Sequence, residues 1–337
     1  MFDRLFVEED CLTHSTTQKI IQQTGLTPEV IDSVENFWGQ KKKPYLDKRQ
    51  NLNLYIGTKK GAKVKEAPPA YGTKNEAHYY FIHAYNCIYE CQYCYLQGYF
   101  KTPDIVLFIN HDEIILEMES ILKTKPDQNV WFHAGEFSDS LALSHLTGEL
   151  ELYHEFLTKH PNAMIELRTK SANIKALLPL KPLPNLFVSY SLASEESAKT
   201  YDLKTPSLKA RLKSMGELSE LGFKLGLHLD PIIYSTKIEE EYLELFRLLK
   251  ENVKIDRIAY VSLGVVRFTK EVYSEVEKNY PQSPLHATTL IKSFDNKVRY
   301  PKPMRFGLMN FMKSELIKIG IPENKIYFCM EDENGSI

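Results

Sequence analysis

The chain has only five cysteines in 337 residues. That is too sparse a framework to staple a chain of this length, which excludes a disulfide-built scaffold and fits a reducing compartment. No apolar run approaches the roughly 20 residues that cross a bilayer, and Met1-Phe2-Asp3-Arg4 opens no signal peptide. The expected location is therefore cytoplasmic, with no membrane partner. Charge imbalance is lacking as well: 42 Lys plus Arg against 44 Asp plus Glu leave a net charge of -2. Without a global positive field, any nucleic-acid surface must be local. Neither internal repeats nor low-complexity tracts occur.

The chain does carry short apolar runs alternating with amphipathic stretches. Residues 78–86, 130–136, 163–171, 186–194, 224–233 and 257–266 read as strands, and 111–123, 148–160, 207–222 and 237–251 have helical spacing. This alternation predicts an α/β fold, a partial (β/α)6 TIM-type barrel with its chemistry at the strand ends. Residues 76–270 form the barrel in this reading, 1–75 an N-terminal extension packed on it, and 271–337 a C-terminal β-hairpin plus helix. The extension is partly helical over 6–25. Residues 39–69 are polar, basic and broken by Gly and Pro, with nine cations against two acids over 41–66, either a solvated surface or a phosphate-contacting arm. Residues 293–306 place a turn-like Asp295-Asn296 between cationic and aromatic residues, followed by a helix to about Ile319 and a strand-like 325–332.

Three of the five cysteines crowd into "CIYECQYCYLQGYF": Cys87, Cys91 and Cys94, spaced C-x3-C-x2-C. A structural zinc ion takes four protein ligands, and His83 is an available fourth, so a zinc-stapled, non-catalytic nucleic-acid-binding module stays open. A 4Fe-4S cluster on three thiolates instead leaves one iron open to an exogenous ligand. The spacing after a first strand resembles that of radical S-adenosylmethionine (AdoMet) enzymes. That resemblance implies AdoMet on the open iron, Tyr93 against the adenine, and Gly135-Glu136 receiving the methionyl ammonium. Lys170, Ser189, Ser191 and Ser194 stand at the ends of the next strands, where an AdoMet carboxylate and ammonium need oriented partners.

The stretches "CQYCYLQGYF", "LRTKSANI", "LHLDPII", "VSLGVVRF", "KVRYPKPMRF" and "YFCMED" together resemble the spore photoproduct lyase family from about residue 4 to residue 332. The resemblance implies cleavage of a thymine-dimer-type lesion in DNA by way of a 5′-deoxyadenosyl radical. It implies two tyrosines on the hydrogen-return path, here Tyr93 and Tyr95, and a cysteine thiol as final hydrogen donor. Aligned on His145-Leu146-Thr147, the donor position holds Glu136, which has no weak bond to hydrogen. The last step then falls to a tyrosine O–H, Tyr95 first, or to a group from an incoming loop, or the reaction is a different radical transformation of a nucleotide or nucleic acid. Arg299, Tyr300 and Lys302 match the family's lesion-recognising hairpin, and Arg267 ends the sixth strand, all as candidate substrate contacts. Cys329 reads as a small buried residue. Expected partners are DNA or a nucleotide and an electron donor such as flavodoxin or ferredoxin, with the enzyme a monomer.

Overall fold

The computed structural model describes residues 2–38, 52–68, 76–100, 102–293 and 296–331. Its centre is an eight-stranded sheet in the order Ile326–Phe328, Ile258–Val265, Lys224–Ile232, Leu186–Ser191, Ala163–Thr169, Val130–Ala134, Ala77–Phe81, Val64–Glu66. Every neighbouring pair is parallel except the last, so the strand ends gather on one rim. The six expected strands are all present, and an antiparallel edge strand and a seventh parallel strand extend them.

The strand Ala163–Thr169 shows how alternation builds this sheet. Ile165 and Leu167 point outward into the main apolar core, where Phe156, Leu212, Met215, Leu245 and Phe246 from the flanking helices also lie. Glu166 and Arg168 point the other way, into the barrel lumen. The helices His111–Lys123, Glu149–Lys159, Leu208–Leu221 and Ile238–Asn252 cover the outer face. Their ends obey local chemistry: the Ser207 hydroxyl accepts from Ala210 N, and Gly222 turns left-handed at φ 98° to stop the same helix.

The N-terminal region departs from the expectation. Phe2–Glu8, Pro28–Ile31, Leu52–Gly57, Ile105–Phe108 and Ala84–Tyr85 form a second, five-stranded sheet. Within the basic stretch 39–69, residues 39–51 and 69 lie outside the described residues. Its continuation Leu52–Gly57 is a largely buried strand, neither solvated surface nor phosphate arm. Alternate side chains of this sheet fill two separate cores. Leu5, Val7, Leu54, Ile56, Ile105 and Leu107 go to one, and Phe6, Tyr55, Val106 and Phe108 to the other. The run 78–86 also divides, because Ile82 N bonds Lys63 O and His83 O takes Phe108 N. Ala77–Phe81 stays in the barrel, while Ala84–Tyr85 crosses to the second sheet and carries the chain into the cysteine loop.

The C-terminal hairpin is present as Ile291–Lys292 against Lys297–Arg299, the latter also pairing with Arg267–Thr269. Its turn includes Asn296 at φ 63°; Asp295 lies outside the described residues. The helix Lys302–Lys318 comes next. Among the described residues, no helix is long and apolar enough to cross a membrane.

Two glycines test the packing. A Cβ on Gly226 would lie 2.5 Å from Ser189 Oγ and 2.6 Å from the Tyr260 hydroxyl, so Gly226→Ala is expected to destabilise by about 1–3 kcal/mol. Gly307, inside Lys302–Lys318, has nothing within 4 Å of that position, and Gly307→Ala is expected to stabilise by about 0.5–1 kcal/mol. Urea denaturation midpoints check both signs; Gly226→Ala as stable as the parent contradicts the lumen packing.

Candidate active site

The cysteine loop is held by its own backbone and by the barrel. Asn86 adopts φ 64° and its Nδ2 donates to Thr102 O at 2.6 Å and Asp104 O at 2.9 Å. The Tyr89 N–H points at Cys87 Sγ, 3.4 Å away. Cys94 N bonds Cys91 O at 3.0 Å, and Gln97 Nε2 ties Gln92 O and Cys94 O at 2.9 Å each. None of the three cysteines is joined in a disulfide. Among the described residues, no three His, Cys, Asp or Glu side chains converge on a single-ion site, and His83 is buried. Burial holds its imidazole neutral, with the pKa down to about 4. Burial first, with Cys94 and Cys87 adding to it, pushes the Cys91 thiol up, so three sulfurs grouped in one loop with an N–H aimed at one of them fit a 4Fe-4S cluster on three thiolates.

A buried carboxylate joins this loop to the barrel. Glu90–Cys91 pairs antiparallel with Asp202–Leu203. Asp202 accepts a short hydrogen bond from the Tyr93 hydroxyl and a 2.9 Å ion-pair contact from Arg211 Nη1. Arg211, fully buried, also donates to Pro206 O and Ser191 O. Lys170 lies with its ammonium 5.6 Å from the centre of the Tyr93 ring. Burial pulls the Lys170 pKa down, but Asp202 and the Cys91 sulfur outweigh it and leave it above the ordinary lysine value. Burial, then Asp202, drives the Tyr93 phenol well up. The two residues are thus a neutral phenol and a charged ammonium beside the cysteines.

The loop after Val130–Ala134 faces the same rim. Gly135 sits at φ 90°, where a Cβ would press on Ser140 Oγ and on the carbonyls of Arg168 and Ser138. Asp139 orders the next turn of chain. Its Oδ1 accepts from Leu141 N, Ala142 N and the Thr169 hydroxyl, and its Oδ2 from Lys170 N at 2.8 Å. The Tyr95 hydroxyl, on the partly exposed side of the loop, makes a short hydrogen bond to the Glu136 carbonyl. Tyr95 therefore meets the segment that resembles the family's donor stretch. The Glu136 carboxylate is near enough to Tyr80 to add to burial in raising that phenol's pKa.

Other expected residues turn out to be engaged elsewhere. Ser191 lies at its strand end, but the Ser189 hydroxyl is fully buried and bonds Tyr260 at 2.5 Å. Tyr260 in turn donates to Glu166 at 2.6 Å. Glu166 also binds His228 at 2.7 Å, His133 by a short contact and Arg168 at 3.0 Å. Burial alone would raise its pKa, yet Arg168, His133 and His228 hold it well below the carboxylate range. Arg267 is forked onto Asp230 at 3.0 and 3.1 Å, with the Cys329 sulfur 3.3 Å from Nη2. Cys329 is half-buried, and burial raises its thiol to about 11 against the pull of Arg267.

The hairpin residues require correction. Tyr300 is fully buried and its hydroxyl accepts from Tyr234 N at 3.0 Å, so it offers no face for stacking. Arg299 is buried beside Glu331 at 3.5 Å. The residue after the strand turns inward into the main apolar core, which consumes the aromatic that sequence placed at the surface. Lys302 remains exposed, 5.9 Å from the Phe306 ring. Sequence reasoning missed Asp202, Arg211 and Asp139. The Asp139 signal was present in "HAGEFSDS", but Asp202 acts on a tyrosine 109 positions away.

The family model for spore photoproduct lyase matches residues 2–318. The chain belongs to the spore photoproduct lyase family. Relatives include the spore photoproduct lyases of a Geobacillus species, 24% identical over 91% of this chain and 89% of that one, and of Bacillus subtilis, 26% identical over 77% and 73%. Two solved structures share the fold, each covering 97% of this chain and 98% of the other at 21% identity. One, a spore photoproduct lyase complexed with dinucleoside spore photoproduct, has a TM-score of 0.83. The other, a doubly substituted variant with bound AdoMet and the same dinucleoside, has 0.82. Membership makes the chain a radical AdoMet repair enzyme that uses a 4Fe-4S cluster and AdoMet, and the three-thiolate donor set fits that cluster.

Asp202→Ala strips the charge partner from fully buried Arg211 and is expected to cost about 3–5 kcal/mol. A double Asp202→Leu/Arg211→Met replacement is expected to recover most of it, measured by urea denaturation. A single variant as stable as the parent contradicts the clamp.

Two buried histidines make stability depend on pH. Burial depresses His83 to about 4 and His111 to about 3 from the ordinary value of 6.5. Their stabilisation is complete above about 6.5 and drains away as pH falls toward those values, because the unfolded chain takes up protons that the folded one refuses. Melting temperatures of the apoprotein should fall between pH 6.5 and 4, and His83→Gln should flatten the slope; an unchanged slope refutes it.

Proposed function

We propose that this enzyme reverses a methylene-bridged thymine photoproduct in DNA, with Cys87, Cys91 and Cys94 holding the cluster and Tyr95 returning the final hydrogen. When bound, the cluster and AdoMet supply one-electron cleavage of a sulfonium, yielding a carbon radical that abstracts hydrogen from substrate. The chain's own residues bind, orient and close the cycle. Lys170 and Tyr93, fixed by Asp202, form one wall of the AdoMet site. Gly135-Glu136 and Ser191 occupy the adjoining strand ends, where main-chain groups and a carboxylate suit an amino-acid moiety. Ser189 serves from below through Tyr260 rather than by direct contact.

The observation that carries this reading is the Tyr95 hydroxyl bonded to the Glu136 carbonyl. It sets a phenolic O–H, able to give up a hydrogen atom, against the position at which the family resemblance calls for a thiol. Tyr93 is a poorer donor, since its hydroxyl is committed to Asp202. Exposed Lys302 and the hairpin strand Ile291–Lys292 are the local cationic surface for DNA, which the near-neutral chain otherwise lacks. Arg267, forked onto Asp230, shapes the substrate side through Asp230. A flavodoxin- or ferredoxin-type donor supplies the electron that starts the reaction and a second electron that, with a proton from solvent, restores the phenoxyl radical left on Tyr95, and the enzyme acts as a cytoplasmic monomer.

Anaerobic incubation of reconstituted protein with a dinucleotide photoproduct, followed by mass spectrometry, tests the reading. The unmodified protein is expected to yield thymine and 5′-deoxyadenosine, and Cys91→Ala neither. Tyr95→Phe is expected to lower thymine recovery about tenfold, equivalent to about 1.4 kcal/mol of barrier, with side products replacing thymine. Full recovery by Tyr95→Phe would remove the tyrosine from the path. Deoxyadenosine without any change in the photoproduct would show that the substrate is another nucleotide.

A further inference from the structure

Beside the cysteine loop lies a group of aromatic rings that serves neither the barrel core nor the AdoMet wall. Tyr99, the last residue of the short helix Leu96–Tyr99, is 62% exposed, and Tyr95 is 38% exposed. Their rings meet edge to face at 5.6 Å. Phe137 lies 5.7 Å from Tyr99 and 6.1 Å from Phe100. It is backed in turn by Tyr80 at 5.8 Å and Tyr85 at 6.0 Å. Tyr99 is thus supported from beneath by a packed aromatic layer while most of its surface meets solvent.

The position of this platform is fixed. A Cβ on Gly98 would lie 2.8 Å from Val272 Cγ2, so the helix backbone sits directly on Lys270–Asn279. The Gln97 side chain accepts from Asn279 at 2.8 Å. Lys270–Asn279 continues from the strand Arg267–Thr269, which belongs to the hairpin sheet. The ring platform is therefore joined through Lys270–Asn279 to the hairpin sheet with its exposed Ile291 and Lys292, and its Tyr99 ring touches Tyr95, whose hydroxyl bonds the Glu136 carbonyl.

A lesion inside a strand has neighbours, and drawing it into the barrel unstacks them. An exposed ring braced from below, one helical turn from the hydrogen-return tyrosine, is where such a base regains its stacking. Two exposed rings match the size of a base rather than of a protein interface. We propose that Tyr99, backed by Phe137, is a stacking subsite for the nucleobase adjoining the damaged pair. This rests on the DNA-repair reading and adds a substrate contact beyond the lesion itself. It makes a strand with flanking bases a better ligand than the isolated lesion.

The test is fluorescence anisotropy on anaerobically reconstituted full-length protein with AdoMet. The ligands are the photoproduct dinucleotide, the same photoproduct within a short single strand, that strand with abasic residues flanking the lesion, and the undamaged strand of the same sequence. The parent is expected to bind the strand more tightly than the dinucleotide. Tyr99→Ala should lose roughly 5- to 150-fold on the strand, Tyr99→Phe should keep parental affinity, and the abasic strand should erase the difference between parent and Tyr99→Ala. Equal loss by Tyr99→Ala on dinucleotide and strand, or no loss on either, overturns the subsite while leaving the repair reading intact. A parent that binds damaged and undamaged strands equally and makes no thymine overturns the repair reading, and the subsite with it.

Discussion

The Asp202 carboxylate is the contact on which the site depends. One oxygen takes Tyr93 from the cysteine loop and the other takes Arg211 from the helix behind the barrel. The cysteine loop has almost no regular structure of its own, only the two-residue strand Glu90–Cys91 and a one-turn helix. Its shape is imposed from the barrel side through that acid and through Gln92 N on the Tyr201 carbonyl, and from the second sheet through the Asn86 amide on Thr102 and Asp104, just ahead of Ile105–Phe108. A buried carboxylate between a phenol and a guanidinium is tolerable because each of its oxygens is matched. Rigidity at this point is what a three-thiolate cluster needs from a loop.

A second carboxylate organises the lumen. Glu166 collects Arg168, His133, His228 and Tyr260, and Tyr260 passes the network to Ser189. Gly226 leaves the room for it. Along one face of the strand, Glu166, Arg168 and Lys170 rise in alternate positions toward the cysteines. The lowest is neutralised within the network, and the highest covers Tyr93. Asp139 then ties the Lys170 backbone to the loop that carries Glu136.

Much of this was legible in the sequence where local pattern and tertiary role agree. The helices with clean apolar stripes and capped ends, such as Leu208–Leu221 between Ser207 and Gly222, could be placed within a residue or two. The cysteine spacing pointed to a cluster while leaving zinc open, and membership of the family favours the cluster. The N-terminal sheet was illegible because two of its three parallel pairings span about fifty residues, Leu5 with Leu54 and Leu54 with Ile105, and short apolar runs within a basic stretch look like loop. Tyr300 shows the opposite failure: an aromatic between cations read as a nucleic-acid contact, but it lies in the main core with its hydroxyl on Tyr234 N. Asp202 had no local signal, since its partners come from two other elements.

On the proposed reading Cys87, Cys91 and Cys94 would hold the cluster and leave one iron open to AdoMet, and electron paramagnetic resonance of the dithionite-reduced, reconstituted protein tests this most directly. A reduced-cluster signal that shifts on adding AdoMet, and broadens when the AdoMet carries a magnetic nucleus in its amino or carboxylate group, is the predicted result. A signal identical with and without AdoMet, or protein that binds zinc and no iron, contradicts it.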